Sequence, residues 1–359
     1  MNRLVECVPN FSEGRDETVI HALAEALESV EGVKLLHVDM GCDANRTVMT
    51  FVAPPEAAVE GGLRVMKTAA GLIDMRKQRG VHRRMGATDV FPFIPFRNIT
   101  DEECVQAART LASRAAETIG IPIYMYGKAA SAPERVRLPD LRKGGYEALA
   151  SKLQDPRFSP DFGDAVFHPA AGAAVIGVRD FLLAYNVNLE TADASAAKHI
   201  AREIRESGTF KRDARGKRMR GPDGKLLRVP GRLAACQADG WFLPEYGCAQ
   251  VTMNLLDMTK TGLFEAFQAV KAAATDLGTA VNGSELIGLS PARALTDAGR
   301  KLLSDAEASD VTDQGLIETA IEGLGLNARG AFTAADRVLE YAFESRIRLS
   351  MEPLPPKAP

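Results

Sequence analysis

Short apolar runs alternate with helical patterns along this chain, and one order of segments occurs twice. In the first half, β-rich runs lie at residues 4–8, 33–38, 46–52, 90–96 and 121–126. Apolar residues spaced three or four apart predict helices at residues 17–29, 56–75 and 100–119. Pro54 and Pro55 mark the start of the second helix, and Thr100 caps the third because acidic residues follow it. The first half therefore reads β-α-β-β-α-β-α-β.

The second half repeats the core of that order. Residues 128–165 are rich in proline, glycine and charge, which indicates a linker region with one helix at 145–153. A long apolar run at 174–189 opens the second half, and further β runs lie at residues 233–243, 248–256 and 285–289. Helical patterns occur at residues 192–207, 263–277, 312–321 and 334–343. This order, β-α-β-β-α-β, predicts a second subdomain.

The two orders predict an α/β (α+β) protein made of two ferredoxin-like βαββαβ subdomains, residues 1–178 and 179–345. The two passages that begin at Gly41 and Gly247 have a similar residue pattern, which is compatible with a duplication. The alternative is that two unrelated α/β halves look alike by chance. Residues 349–359 are proline-rich and predict a disordered tail.

Composition narrows the class of protein. A formal net charge of −3 over 359 residues argues against general nucleic-acid binding, which needs an excess of Lys and Arg. The five cysteines are odd in number and never spaced C-x-x-C, so we expect reduced thiols. No apolar stretch has the length of a signal peptide or a membrane span. We therefore expect a soluble, cytoplasmic chain.

One segment, residues 210–232, is strongly basic and contains several glycines. The favoured interpretation is an exposed β-hairpin or mobile loop with an Asp-Gly turn. The alternative is a flap beside an anionic ligand.

A polar turn at residues 8–16 leaves the carboxyl end of the first predicted strand. Ligands of open α/β sheets favour that end of the strands, so Asn10, Ser12 and Glu13 are candidate binding residues. The alternative is an ordinary helix cap. Composition alone favours the cap.

A second polar turn lies within residues 38–51. Asp39 ends one strand, and Asn45 and Arg46 lead into the next. Because a guanidinium offers planar, bidentate donors, Arg46 beside Asn45 could bind a carboxylate. The same residues could equally close a surface turn with Asp43.

His82 lies in a basic, glycine-flanked loop within residues 76–96. Nearby positive charge lowers the pKa of an imidazole, and a neutral imidazole can act as a general base. The alternative is a solvated basic loop without a catalytic role. His168, in the turn FHPAAG, is the second candidate. The remaining histidines have weaker surroundings: His21, His37 and His199.

The stretch 161–191 carries the glycines Gly163, Gly172 and Gly177, which allow close backbone approach to a flat ligand. Polar groups follow in the run FLLAYNVNL: Tyr185, Asn186 and Asn188. No glycine pattern matches a dinucleotide fingerprint or a P-loop, and no G-x-S-x-G elbow or metal-spaced cluster occurs. Nicotinamide chemistry, nucleotide hydrolysis and serine hydrolysis are disfavoured.

Several motifs resemble the glutamate formiminotransferase family. They are VPNFSEGRD, the NRTV-x-TFV string ending at Val52, HRRMGATDVFPFIP, FLLAYNVNL, GWFLPEYGCAQVTMNL and NGSELIGLSP. They run in family order from residue 4 to about residue 345. The resemblance implies two ferredoxin-like subdomains with a folate-binding cleft or tunnel between them, in a homodimer.

The resemblance also implies roles for residues. The family's catalytic histidine falls on His82, and its folate-contacting stretch on residues 163–172, where the match is looser. That stretch contains these predicted folate contacts: Gly163, Asp164, Phe167, His168 and Gly172. The predicted binding set consists of these five residues and six others, which are Tyr185, Asn186, Asn10, Ser12, Asn45 and Arg46. Beyond the resemblance, our hypothesis is that Asp39 orients or electrostatically supports the site, and that Arg46 or a basic-loop arginine binds a substrate carboxylate.

The implied reaction transfers the formimino group of N-formimino-L-glutamate to tetrahydrofolate, in histidine degradation, with no metal and no nucleotide. In animals the family's domain is fused to a cyclodeaminase, for which this chain has no room, so we expect only the transferase step. The nearest alternative is formyl transfer from N-formylglutamate. A catalytically silent folate-binding protein is another, and a nucleic-acid module built on residues 210–232 is the least favoured.

Overall fold

The computed structural model describes residues 3–42, 44–80, 83–304 and 308–351. The chain divides into two compact units, residues 1–180 with the segment from 346 onward, and residues 181–345. Each unit combines a β-sheet with helices. The prediction of a mixed α and β protein with two subdomains is confirmed. Most of the predicted tail, residues 352–359, lies outside the described residues.

The sheet of the first unit contains these strands: Leu4–Cys7 (β1), Asn10–Phe11 (β2), Lys34–Gly41 (β3), Arg46–Ala53 (β4), Thr88–Arg97 (β5), Ile123–Gly127 (β6) and Ala174–Val178 (β7). β4 pairs with β3 on one side and with β1 and β2 on the other, and β1 and β2 also pair with β5, all antiparallel. β5 then pairs with β7, and β7 with β6, in parallel. The sheet is therefore antiparallel at one side and parallel at the other.

Three helices cover one face of this sheet: Glu17–Glu28 (α1), Pro55–Leu72 (α2) and Asp101–Ile119 (α3). Capping residues next to the helices determine where α1 and α3 begin and where α3 ends. Asp16 accepts hydrogen bonds from the backbone N–H groups of Thr18 and Val19 at the start of α1. Thr100 and Glu103 form a capping box on α3, as predicted, and Gly120 ends that helix with a φ of 75°.

The region predicted as a linker instead packs on the opposite face of the first sheet. Residues 133–158 form short turns and two one-turn helices, Leu138–Leu141 (α4) and Leu149–Lys152 (α5). Their apolar side chains form a small core with residues of the sheet and of the segments just before its strands, which are Met85, Val90, Tyr124, Tyr126, Ala173 and Val175. The linker prediction was wrong because widely spaced leucines in a polar background are enough to anchor a segment to an apolar sheet face.

The apolar run at 174–189, predicted to open the second half, is two strands. β7 belongs to the first sheet, and Leu183–Leu189 (β8) belongs to the second unit. Arg179 and Asp180 interrupt the run, and the division between the units falls after Asp180, two residues from the predicted limit of 178.

The second unit continues with Ala194–Ile204 (α6), then the short strands Thr209–Phe210 (β9) and Arg228–Val229 (β10). Its main sheet has the order β11-β12-β8-β13, all antiparallel, where the added strands are Cys236–Leu243 (β11), Cys248–Leu255 (β12) and Val281–Ile287 (β13). The other helices are Leu263–Asp276 (α7), Ala292–Leu302 (α8), Asp313–Gly323 (α9), Ala334–Arg337 (α10) and Leu339–Met351 (α11), of which α11 belongs to this unit only as far as Ser345.

The basic segment 210–232 forms an exposed ladder, as predicted. β9 pairs with β10, and further bridges join Arg212 with Arg218 and Arg220 with Leu226. The ring of Phe210 lies 4.5 Å from the guanidinium carbons of both Arg218 and Arg228, which holds the base of the ladder by cation–π contacts.

All five cysteines are free thiols, and Cys42 is the exposed one. Burial raises the pKa of Cys104 and of Cys236 to about 12. Among the residues that the structure describes, no helix combines the length and apolar character needed to cross a bilayer.

Candidate functional site

Glu13 joins the first polar turn to the basic loop of the first unit. One carboxylate oxygen accepts hydrogen bonds from the backbone N–H groups of Gly14, Arg15 and Asp16 at 2.9–3.1 Å. The other accepts one from Gln78 Nε2 at 2.7 Å. Because this carboxylate is buried and fully engaged, its role is to fix the turn against the loop.

Asn45 joins the second polar turn to the same loop. Its amide nitrogen donates to Gln78 Oε1, and its amide oxygen accepts from the backbone N–H of Gly14 at 3.0 Å. Asn45 has a φ of 48°, a left-handed conformation that asparagine tolerates better than most residues. The three predicted segments 8–16, 38–51 and 76–96 therefore meet at Gln78.

Arg46 is held by an ion pair and a hydrogen bond. Its Nε donates to Asn10 Oδ1 at 2.8 Å, and its Nη1 donates to Asp89 Oδ2 at 2.8 Å. Arg142 donates to the same Asp89 oxygen at 2.5 Å. Burial lowers the pKa of the Arg46 guanidinium to about 10, with Arg142 acting in the same direction and Asp89 opposing it. Arg46 therefore stays positive at neutral pH and is committed to Asp89.

Contacts of Ser12, Gly86 and Gly172 join the stretch 163–172 to the loop within residues 76–96. The hydroxyl of Ser12 donates to the carbonyl of Gly86 at 2.7 Å. Gly86 pairs with Gly172 in an isolated bridge, and Ala87 donates to the carbonyl of Ala171 at 2.9 Å. Gly172 has a φ of 70°, and a Cβ there would lie 2.3 Å from the carbonyl oxygen of Met85. Glycine is required at position 172 by both conformation and space.

We expect Gly172→Ala to lower the free energy of unfolding by at least ~2 kcal/mol, since left-handed strain and overpacking each cost about 1–2 kcal/mol or more. Gly120→Ala is the matched control, because its φ is 75° but nothing lies within 4 Å of the added carbon. Urea unfolding of both variants separates the two costs. Equal losses in the two variants would contradict the close approach at Gly172.

The stretch 163–172 is partly anchored. The ring of Phe167 packs against Tyr146 with centroids 5.5 Å apart, and His168 Nδ1 accepts a hydrogen bond from the backbone N–H of Ala171 at 3.0 Å. Gly163 and Asp164 are exposed. Within this stretch, Asp164 is therefore a surface side chain, and Phe167 is a packing contact beside the loop.

Tyr185 and Asn186 belong to the second unit, where their side chains lie on opposite faces of β8. Tyr185 is fully buried in the core formed with the helices, and burial raises the pKa of its hydroxyl above its usual range. Asn186 Nδ2 donates to Glu285 Oε1 at 3.0 Å on the other face. Asn186, and not Tyr185, is placed on the polar face of this sheet.

That polar face carries a connected network. Gln250 Nε2 donates to Glu285 Oε1 and to Asn188 Oδ1, both at 2.9 Å, and Tyr246 donates to Glu285 Oε2 at 3.1 Å. Asn188 Nδ2 is buried without a hydrogen-bond partner among the described atoms. Motif spacing did not single out Gln250, Glu285 or Tyr246, although all three fall in strings that carried the family resemblance.

His82, the predicted catalytic residue, lies outside the described residues, and so does Asp43. Asp39 is half-buried on β3, opposite Val48 of β4. Sequence reasoning missed Gln78, Asp89 and Arg142, which organise the site. The signal for Asp89 was a lone acid inside an apolar strand. Within the described part of the chain, no group of three or more His, Cys, Asp and Glu side chains could hold a metal ion.

Comparison with known families decides what this arrangement belongs to. Residues 4–179 match the formiminotransferase domain, N-terminal subdomain, and residues 184–344 match the formiminotransferase domain. The chain belongs to the formiminotransferase family. The segments joined by Glu13, Gln78 and Asp89 thus form the candidate site of a formiminotransferase first subdomain.

Individual relatives cover the formiminotransferase region. The glutamate formimidoyltransferase of Streptococcus pyogenes serotype M1 is 39% identical over 84% of this chain and 94% of its own length. That of Thermoplasma acidophilum is also 39% identical, over 92% of its length. The formimidoyltransferase-cyclodeaminase of Sus scrofa is 44% identical over 95% of this chain. The chain spans about 60% of the length of the formimidoyltransferase-cyclodeaminases that it matches.

Proposed function

We propose that this chain is a glutamate formimidoyltransferase, which moves the formimino group of N-formimino-L-glutamate onto tetrahydrofolate and releases L-glutamate. The observation that carries this proposal is the 39% identity to the Streptococcus pyogenes enzyme over 94% of that enzyme's length. The second support is that hydrogen bonds join the predicted segments to Gln78 and Gly86, which flank position 82 in the sequence.

The reaction moves one proton from N5 of tetrahydrofolate to the nitrogen of the departing glutamate. N5 of tetrahydrofolate attacks the formimino carbon and forms a C–N bond, and its proton must leave. The tetrahedral intermediate then breaks the bond to the glutamate nitrogen, which must gain a proton. We assign both transfers to His82, because one neutral imidazole can accept the first proton and return it to the leaving amine. This acid/base route needs no metal and no nucleotide.

Other residues of the site receive positioning roles. Asp39 supports the imidazole electrostatically in this proposal. Arg46 is already paired with Asp89, so it orients Asn10 and the turn, and a basic-loop arginine is the better carboxylate ligand. Tetrahydrofolate contacts are assigned to the stretch 163–172 and to Asn186.

The finer architecture belongs to the same proposal. We infer that each unit has a ferredoxin-like βαββαβ core. The orders β3-β4-β1-β5 and β11-β12-β8-β13 support this, because each places the first and third strands of its motif at the centre. Subdomain limits of 1–178 and 179–345, a homodimer and a cytoplasmic location are also proposed, on the family resemblance.

A direct assay tests the function. We expect purified chain to form 5-formimino-tetrahydrofolate from tetrahydrofolate and N-formimino-L-glutamate, with product followed by absorbance. N-formyl-L-glutamate serves as the matched donor, since formyl and formimino groups differ by one atom. Faster turnover of the formyl donor would replace the proposed reaction with formyl transfer. Folate binding without turnover of either donor would leave a binding protein.

A further inference from the structure

A cationic cleft of about 480 Å³ lies in the first unit, and residues on both sides of position 82 in the sequence line part of it. Two stretches that are far apart in the chain line it. The described lining residues are Gly80, Arg83, Arg84, Lys143, Gly144, Gly145 and Glu147. Three cations therefore face one carboxylate, which leaves a net positive charge for an anionic ligand.

The cleft is held in shape by contacts at its base. The backbone N–H of Tyr146 donates to the carbonyl of Arg84 at 2.7 Å. Arg84 Nη2 donates to the carbonyl of Gln78 at 2.8 Å. Arg142, beside Lys143, is tied to the buried Asp89. These contacts hold Arg84 and the backbone on either side of Lys143 in place without a ligand, which lowers the ordering cost of binding.

Arg84 lines this cleft and combines an unsatisfied donor with one exposed ion pair. The residue is 8% exposed, and its buried Nε has no hydrogen-bond partner among the described atoms. Its Nη2 pairs with Glu147 Oε1 at 3.0 Å, but the Glu147 side chain is 59% exposed. An exposed carboxylate holds such a pair weakly, so an incoming anion can displace it.

We propose that this cleft binds the carboxylate groups of a glutamyl compound, with Arg84 and Lys143 as its ligands. The identity of that compound rests on the proposed function, which offers two sources: the formimino donor and the glutamyl tail of tetrahydrofolate. Arg83 is covalently adjacent to His82, so their Cα atoms are only ~3.8 Å apart. In the donor, a carboxylate lies within a few bonds of the reacting carbon. In tetrahydrofolate, the aminobenzoyl group separates the tail from N5, so the position favours the donor.

The test begins with Lys143→Ala, because Lys143 is exposed and we expect the variant to keep its fold. We expect KM for the formimino donor to rise roughly tenfold or more, the effect of losing one charge-assisted hydrogen bond. KM for tetrahydrofolate and kcat should change by less than about twofold, since only ground-state binding of the donor is lost. Lys67→Ala, an exposed lysine on α2, is the matched control and should leave all three constants unchanged.

Glu147→Gln tests the same cleft in the opposite direction. It removes the carboxylate that competes for Arg84, so KM for the donor should fall by a few-fold. Unchanged donor KM in both Lys143→Ala and Glu147→Gln would overturn the proposal. Lys143→Ala could instead raise KM for tetrahydrofolate while leaving KM for tetrahydropteroate, which lacks the glutamyl tail, unchanged. That result would overturn the donor assignment in favour of the folate tail.

Calorimetry with L-glutamate separates failure of this inference from failure of the proposed function. Weaker L-glutamate binding by Lys143→Ala than by Lys67→Ala supports the cleft even if the wild-type chain turns over neither donor. Equal binding by both variants, in an enzyme that is active on the formimino donor, overturns the cleft and leaves the transferase function standing.

Discussion

His82→Ala is expected to lower kcat for formimino transfer by about 10²–10⁴-fold, the usual contribution of a positioned general acid/base. Both proton transfers of the reaction pass through this imidazole in the proposed mechanism, so its loss affects attack on the formimino carbon and departure of the amine. Donor and tetrahydrofolate binding should persist, because the substrates' carboxylates and rings are bound by other groups. Single-turnover kinetics on the purified variant measure the chemical step directly.

The control for this variant is His21→Ala, which removes an exposed histidine from α1. It should leave kcat unchanged. Thermal unfolding of both variants checks that neither loses its fold. If His82→Ala retains kcat within about tenfold of the wild-type value, the acid/base assignment is wrong, although the chain remains a member of the formiminotransferase family.

Local signals in the sequence predicted most elements of both units. The capping box at Thr100 and the prolines before α2 specify helix starts through contacts a few residues apart. The exposed ladder around residue 223 follows from its Asp-Gly turn in the same way. Helical turns at 146–152 agree with the predicted helix at 145–153, but the packing of segment 133–158 was missed. That packing depends on Leu141, Leu149 and Leu153 finding an apolar face that is distant in sequence.

The site was predictable in its parts but not in its connections. Asn10, Ser12, Asn45 and Arg46 were found because polar turns follow strands. Their hydrogen bonds to Gln78, Gly86 and Asp89 are long-range pairings, which spacing along the chain does not encode. For the same reason, the sequence indicated a basic loop at residue 83 but did not indicate that Lys143 lines the same cleft.

Asp89→Asn is expected to cost about 3–5 kcal/mol of unfolding free energy, the usual penalty for removing one partner of a buried ion pair. The Asp89 carboxylate is buried between Arg46 and Arg142 and also accepts a hydrogen bond from the backbone N–H of Met85 at 2.9 Å. Asparagine keeps the shape but leaves two guanidinium groups without their anion. Amide hydrogen exchange in β4 and β5 should accelerate accordingly. Asp74→Asn, which breaks a surface pair with Arg76, is the matched control and should change little.

Two further measurements separate the loss of charge pairing from a general loss of stability: the stability of the second unit and the stability of a double variant. Trp241 is the chain's one tryptophan and lies on β11, so its fluorescence reports unfolding of the second unit. The unfolding free energy from Trp241 fluorescence should fall by less than the opening free energy from amide exchange in β4. If loss of the shared anion is the cause, Asp89→Asn combined with Arg142→Met should be less destabilised than the sum of the single variants, with a coupling of about 0.5–3 kcal/mol. Strict additivity would mean that Asp89 acts through its bond to Met85, and that Arg142 reaches the first sheet by packing alone.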